Sequence, residues 1–202
     1  ELAEALGATE LTPEESFNVS AGLTFDHGPW RASLDFYRIN IDDRIVLSSN
    51  FVDGPGSTAL RDYLTSVGQP GVLSVRYFTN AIDTETQGFD LTVSHTSDLG
   101  EYGDLRLTAA YNHNETEVTR IAPTPSEVTA LGITTPIFDI VERTRIERGT
   151  PRDKFALAGN WDVGRFHISL NGTRYGEVQH LALQNQSAAN VALAAAGDTR
   201  IS

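Results

Sequence analysis

Along residues 11–47 the chain alternates between apolar and polar side chains with a period of two, breaks once at a glycine, and alternates again. Phe17, Val19, Ala21, Leu23 and Phe25 are apolar, while Asn18, Ser20, Gly22 and Thr24 between them are small or polar. Successive side chains of a strand point to opposite faces, so this run predicts a strand with one greasy and one wet face. After a tight turn at 26–29 the pattern resumes as Trp30, Ala32, Leu34 and Phe36 against Arg31, Ser33, Asp35 and Tyr37, and runs on to an acidic tip. Such a hairpin builds either a soluble β-sandwich or the wall of a membrane barrel.

Six segments alternate in this way, at about 16–26, 30–47, 72–96, 104–118, 150–162 and 165–176. The connections between them run short at 27–29, long at 48–71, short at 97–103, long at 119–149 and short at 163–164. In an up-and-down sheet every short turn then falls at one end and every long loop at the other. Transmembrane barrels have this asymmetry, whereas both ends of a soluble sandwich face the same solvent. The aromatic residues agree. Phe25, Trp30, Tyr102, Trp161 and Phe166 flank the short turns, and Phe17, Phe36, Tyr111 and Phe155 lie six to nine residues along the same strands. Nine tilted residues climb roughly 20 Å, close to the apolar band of about 25 Å between two aromatic girdles.

The long loops carry helix signals of their own. Ser57 is placed to cap a helix with Leu60, Tyr63, Leu64 and Val67 on one face and Gly68 at its end. Thr124, Pro125 and Glu127 form a capping pattern that Gly132 closes. Residues 187–196 are Ala-rich, and 177–202 is expected to be a loop or disordered tail. These helices are expected to decorate the loops and not to build a core.

Composition narrows the classes. Twenty-seven acidic residues against 15 basic ones argue against nucleic acid or anionic lipid as the main partner, since both attract basic surfaces. There is no cysteine, hence no disulfide framework or thiolate metal site. No run approaches the roughly 18 apolar residues of a transmembrane helix, which leaves a barrel open. A first residue that is Glu, the lack of methionine and an ending without a terminal strand give the expectation of one segment, 1–202, of a longer barrel domain.

Candidate chemistry is sparse. Arg143, Arg145 and Arg148 cluster in the second long loop, and guanidinium groups bind carboxylate or phosphate bidentately, which makes them the ligand candidates. Alternating with Glu142 and Glu147, they also fit a strand extended above a membrane with cross-strand ion pairs. On the polar strand faces, Arg31, Asp35, Asp90, Arg106, Lys154 and His167 are either ligand or plug contacts or simply solvated lumen residues. The histidines are scattered, with only Glu115 close to His113, so no metal or cofactor site is expected. The sequons at Asn18, Asn114, Asn171 and Asn185 are the number chance gives in a Ser/Thr-rich β protein. No nucleophile, acid pair or phosphate loop stands in a catalytic context, and no enzyme is expected.

Several short stretches resemble one family. Leu11-Thr12-Pro13-Glu14-Glu15-Ser16 resembles the loop-to-strand entry of TonB-dependent receptors, and the strand end from Tyr37 to Ile45 is similar to theirs. Asn80-Ala81-Ile82 followed by Thr86-Gln87-Gly88-Phe89-Asp90 looks like the family's recurrent strand. Thr150-Pro151-Arg152-Asp153-Lys154-Phe155 and Arg174-Tyr175-Gly176 resemble its penultimate hairpins. The resemblance implies an all-β fold: antiparallel up-and-down strands forming part of a transmembrane barrel in the bacterial outer membrane, with long loops carrying short helices. It implies energy-coupled uptake of a bulky nutrient such as a siderophore, cobalamin or glycan. The implied partners are that nutrient, outer-membrane lipid, a plug domain and the TonB complex, the last two through residues this sequence lacks. The final aromatic-ended strand is also lacking. A soluble sandwich that binds a ligand and a passive porin are the alternatives.

Overall fold

Each alternating segment forms a strand. In the computed structural model, which describes residues 2–181, these are β1 (Glu15–His27), β2 (Trp30–Leu47), β5 (Phe78–Asp98), β6 (Asp104–Ile121), β7 (Asp153–Val163) and β8 (Phe166–Tyr175). A two-residue pair, β3 (Phe51–Val52) with β4 (Ser74–Val75), stands apart from them. The six long strands form one antiparallel sheet in chain order, with β1 and β8 at its edges. One sheet in sequential order is an up-and-down wall, and it overturns the sandwich alternative, which needs two facing sheets. Two of the short connections are two-residue turns, and each opens on a glycine at φ +57°, Gly28 and Gly164. A hairpin of this length needs that left-handed conformation, which costs glycine nothing. The third expected strand began too early: Ser74 and Val75 pair with the first loop, and the sheet takes up the chain only at Phe78.

The register puts all of the apolar stripe on one face. Leu23, Leu34, Leu91, Tyr111, Phe155 and Arg174 are level with one another, and Thr24, Ser33, Thr92, Ala110, Ala156 and Thr173 are level on the other face. Taking the long loops as the top, the aromatic lines run obliquely across these rows. Phe25 pairs with Ala32, two residues above Trp30, whose level continues through His95, Leu107 and Gly159 to Leu170, four residues above Phe166. The lower line thus falls about 20 Å over five spacings of about 4.8 Å. The upper line starts at Phe17, whose partner Asn40 is four residues above Phe36; Phe36 is level with Phe89 and His113, and Tyr111, two residues below His113, is level with Phe155. Both lines cross the hydrogen-bonded rows at roughly 40–45°, close to the strand tilt of about 35–45° in transmembrane barrels.

Above the upper line the chain folds into a cap with its own core, which corrects the expectation that the loop helices only decorate. Phe51, Leu60, Leu64, Val128, Ile137 and Phe138 are buried there with Leu6 from the N-terminal stretch and Ile82 from the top of β5. None of these segments has enough apolar surface alone; pooled, they exclude water. Helix α1 (Leu2–Ala5) opens the chain. Helix α2 (Ala59–Ser66) starts with Ser57 Oγ accepting from the Ala59 N–H and Asp53 Oδ1 accepting from the Leu60 N–H, and Gly68 at φ +81° ends it. Val67, expected on its buried face, is exposed just past the last turn. Helix α3 (Ser126–Ala130) has no capping box, because Thr124 Oγ1 accepts from the Ile137 N–H instead. Residues 177–181 are neither helix nor strand, and the Ala-rich stretch and Asn185 lie outside the described residues.

Helix α4 (Ile140–Arg148) carries all three candidate arginines, so the extended strand expected there is wrong. Asp139 Oδ1 accepts from the N–H groups of Val141 and Glu142, which satisfies the free donors of the first turn.

The tops of three strands are tied to one another and to the N-terminal entry where β2 bulges. Asp43, at φ +52°, donates its N–H to Asp83 Oδ1 (2.9 Å) and accepts from Arg120 Nη2 (2.6 Å), while Arg120 Nε donates to Asp83 Oδ2 (2.5 Å). Glu14 Oε1 accepts from the Ile45 N–H at 2.6 Å. Three strands and the N-terminal entry are thereby fixed together above the apolar band.

Candidate functional site

The polar face is lined by short hydroxyl and amide side chains that bond to each other along the rows. Thr86 and Thr116 hydroxyls lie 2.8 Å apart, and Asn112 Nδ2 donates to Asp90 Oδ1 at 2.7 Å. Asp35 and Asp90 are directly opposed across β2 and β5, and Lys154 sits over the Tyr175 ring at 5.5 Å. At the short-turn end, Arg31 and Arg106 line a cavity of about 370 Å³; Arg31 also pairs with Asp26, and Arg106 reaches Thr96. His167 faces the same side and bonds to Asp162. All six expected lumen residues therefore share one face, spread over its height and not gathered into a site. Gly88 is required on this face, since a Cβ there would run into the Tyr37 ring and the His113 carbonyl.

The three arginines of α4 do not converge. Arg143 Nε donates to Glu147 Oε1 at 2.8 Å, and the same oxygen accepts from the Val118 N–H of β6. Arg145 Nη1 donates to Glu142 Oε2, whose other oxygen holds Arg76 Nη2, both at 2.6 Å. Arg143 and Arg145 remain 44% and 55% exposed. Arg148 points elsewhere, into a cavity shared with Arg152 and Arg174 at the upper edge of the apolar face. Sequence spacing alone could not separate them, because positions 143, 145 and 148 fan out around a helix.

The cap's ionisable groups are tuned by their neighbours. The Arg120 guanidinium beside Asp83 holds its carboxyl below the usual range, helped by the Asp43 N–H and opposed by burial. Burial pushes the Tyr77 hydroxyl up, and the nearby Glu127 charge adds to it. Tyr77 donates to the Leu6 carbonyl at 3.1 Å, which ties the N-terminal stretch into the cap. Among the described residues no group of three His, Asp or Glu side chains is arranged to hold a metal.

An up-and-down sheet with one apolar face, one hydrogen-bonded polar face and two oblique aromatic lines is the wall of a transmembrane β-barrel. A family model described as TonB dependent receptor-like, beta-barrel, matches residues 2–199, and the chain belongs to that family, one of outer-membrane receptors and transporters and not of enzymes. Among solved structures the chain is similar to the FrpB iron transporter from Neisseria meningitidis (F3-3 variant), at 13% identity and a TM-score of 0.49, over 82% of this chain and 19% of that one. The chain spans about a fifth of that transporter's length. No curated protein matches it.

Proposed function

We propose that this chain is the wall and outer cap of a receptor that takes up a bulky nutrient across the outer membrane, energised through TonB and a plug domain supplied by the rest of the protein. The observation that carries the reading is the folded cap. A passive pore has no need of a dedicated hydrophobic core above the bilayer, whereas a receptor must hold ligand-contacting groups still before transport begins. The nutrient is of the siderophore, cobalamin or glycan type. It meets the half-exposed guanidinium groups of Arg143 and Arg145, on different sides of α4, first, and the polar lumen face and plug afterwards.

The test is uptake by cells that carry the full-length receptor, with and without the energy-coupling partner. Uptake that stops without the partner while surface binding persists supports the proposal. Uptake that continues returns the chain to a passive porin.

A further inference from the structure

Two of the inward-facing arginines share the cavity at the short-turn end of the lumen, and the groups around them suit an anion. Arg31 of β2 and Arg106 of β6 lie on either side of β5, whose Thr92, Ser94 and Thr96 stand between them. Arg31 is level with Ser94 and Thr108, and Arg106 with Thr96, so the two occupy neighbouring inward rows. Across the sheet they are two spacings of about 4.8 Å apart, a gap that two long side chains close around one small group. The turn residues Gly28 and Pro29 bound the cavity below, and no carboxylate of the described residues lines it. Arg31 is held from outside by Asp26 at 3.2 Å, whereas Arg106 has no acidic partner among the described residues and reaches only Thr96, at 3.4 Å. Among the same residues the hydroxyls of Thr92, Ser94 and Thr108 have no side-chain partner.

We infer that this cavity is a transit site for an oxyanion of the nutrient, a carboxylate or phosphate held in the exit half of the lumen after the cap has released it. The inference rests on the receptor reading above and narrows the nutrient to an anionic one. Guanidinium groups bind either oxyanion in forked, charge-assisted bonds, and the hydroxyls are placed to donate to the lone pairs that remain. The position fits a relay, because the arginines of α4 present the same chemistry at the top of the wall and Arg31 and Arg106 present it again at the other end. The hold is also loose. Asp98, Asp104 and Asp162 stand level with one another, one inward row nearer the turns than Arg106, and oppose an anion bound above them; His167 bonds only to the last of the three. A site on a transport path must bind well enough to receive its cargo and weakly enough to let it go. With a net charge of −12 the wall has no general attraction for anions, so a stop along the lumen needs a local cluster of this kind.

The test uses the full-length receptor in uncharged detergent, with Arg143→Ala and Arg145→Ala in place so that these two cap arginines offer no anion contact. Succinate and inorganic phosphate are titrated against sorbitol as an uncharged control and read by calorimetry. The site predicts that both anions bind and sorbitol does not. Arg31→Gln with Arg106→Gln should weaken anion binding about tenfold or more. Thr108→Val, which keeps every charge, should weaken it by a smaller factor, and Asp104→Asn should strengthen it. Equal affinity in the Arg31 and Arg106 variant overturns the inference. Absence of binding to the intact receptor overturns it too, and faster hydrogen exchange of the plug in that variant then assigns the cavity to a plug side chain. Uptake with and without the energy-coupling partner separates this inference from the reading it rests on. Partner-dependent uptake together with indifference of binding to Arg31 and Arg106 removes the site and leaves the receptor, whereas uptake without the partner removes the receptor reading whatever the anions do.

Discussion

The side-chain amide of Asn80 pairs with the backbone of Thr12 as one strand pairs with another: its Oδ1 accepts from the Thr12 N–H at 2.9 Å, and its Nδ2 donates to the Thr12 carbonyl at 2.9 Å. The same Nδ2 donates to the Asp43 carbonyl at 2.6 Å. One residue near the start of β5 therefore holds the entry segment and the β2 bulge together. The stretches that resembled TonB-dependent receptors, around Thr12, Glu14, Asp43 and Asn80, are the parts of this single joint.

Asn80→Ala removes all three bonds and leaves two carbonyls and an N–H to water. A cost of about 1–3 kcal/mol is expected, because the site is solvent-accessible and part of the loss is recovered by hydration. Limited proteolysis should find residues 2–14 cleaved faster in the variant, with the barrel itself unchanged. Equal cleavage rates would show that the entry segment is held by its other contacts, Leu6 with Tyr77 and Glu14 with Ile45.

The neighbouring carboxylate gives a pH signature. The Arg120 guanidinium holds the folded-state pKa of Asp83 below the ordinary carboxylate range, so its contribution to stability is complete above that range and is lost as pH falls through the depressed value. Melting temperature measured against pH should decline on the acid side, and Asp83→Asn should flatten that part of the decline. Arg120→Ala should remove it as well, at a cost of about 1 kcal/mol at neutral pH, since Arg120 is half exposed and screened. An acid limb unchanged in both variants would assign it to other carboxylates.

The long strands were legible because alternation is local and a barrel wall writes it twice, once for lipid and once for lumen. The cap was not, because its core is assembled from residues far apart in sequence, Leu6, Phe51, Ile137 and Phe138 among them, none of which stands out in its own loop. Helix α4 had a readable signal that the arginines hid: Asp139 with Glu142 three residues later is an N-terminal cap pattern. Alternating Glu and Arg fits a strand as well as a helix over so short a run, and only the cap decides between them. The divergence of the three arginines follows from the helix, which turns positions 143, 145 and 148 to different sides.

Adjacent residues of β8 test the two faces. Leu170, 76% exposed, stands on the apolar face midway between Phe166 and Arg174, whereas Asn171 faces the lumen. Leu170→Arg should cost about 2–4 kcal/mol in a lipid vesicle, the penalty for an arginine near the bilayer midplane, and Asn171→Arg should be nearly neutral. Reversible unfolding from vesicles in denaturant measures both. Equal costs would mean that the register is shifted by one residue.

The cap should unfold apart from the barrel. Phe51 is fully buried within 5.9 Å of the Tyr77 ring, and Phe51→Ala is expected to cost about 3–5 kcal/mol, most of a small core's stability. The full-length variant should still insert and keep the heat-modifiable migration of a folded barrel while losing nutrient binding. Loss of insertion would make the cap a folding nucleus for the wall and not an independent layer.

Ligand recognition by α4 can be separated from its structural bonds, because the acids survive loss of either arginine. Without Arg145, Glu142 still holds Arg76; without Arg143, Glu147 still accepts from the Val118 N–H. Arg143→Ala and Arg145→Ala should therefore leave the cap's melting behaviour within about 1 kcal/mol of wild type. A well-formed charge-assisted bond contributes about 1.5–3 kcal/mol, so loss of either contact with an anionic nutrient should lower affinity roughly tenfold or more. Surface binding to whole cells at low temperature reads this before transport begins, and Arg145→Lys, which keeps the charge but not the fork, should restore only part of it. Arg106→Ala, at the far end of the lumen, should leave surface binding intact and change only uptake. Unchanged binding in both α4 variants would leave these arginines as braces of the helix and move the search for the nutrient contact to the α2 side of the cap.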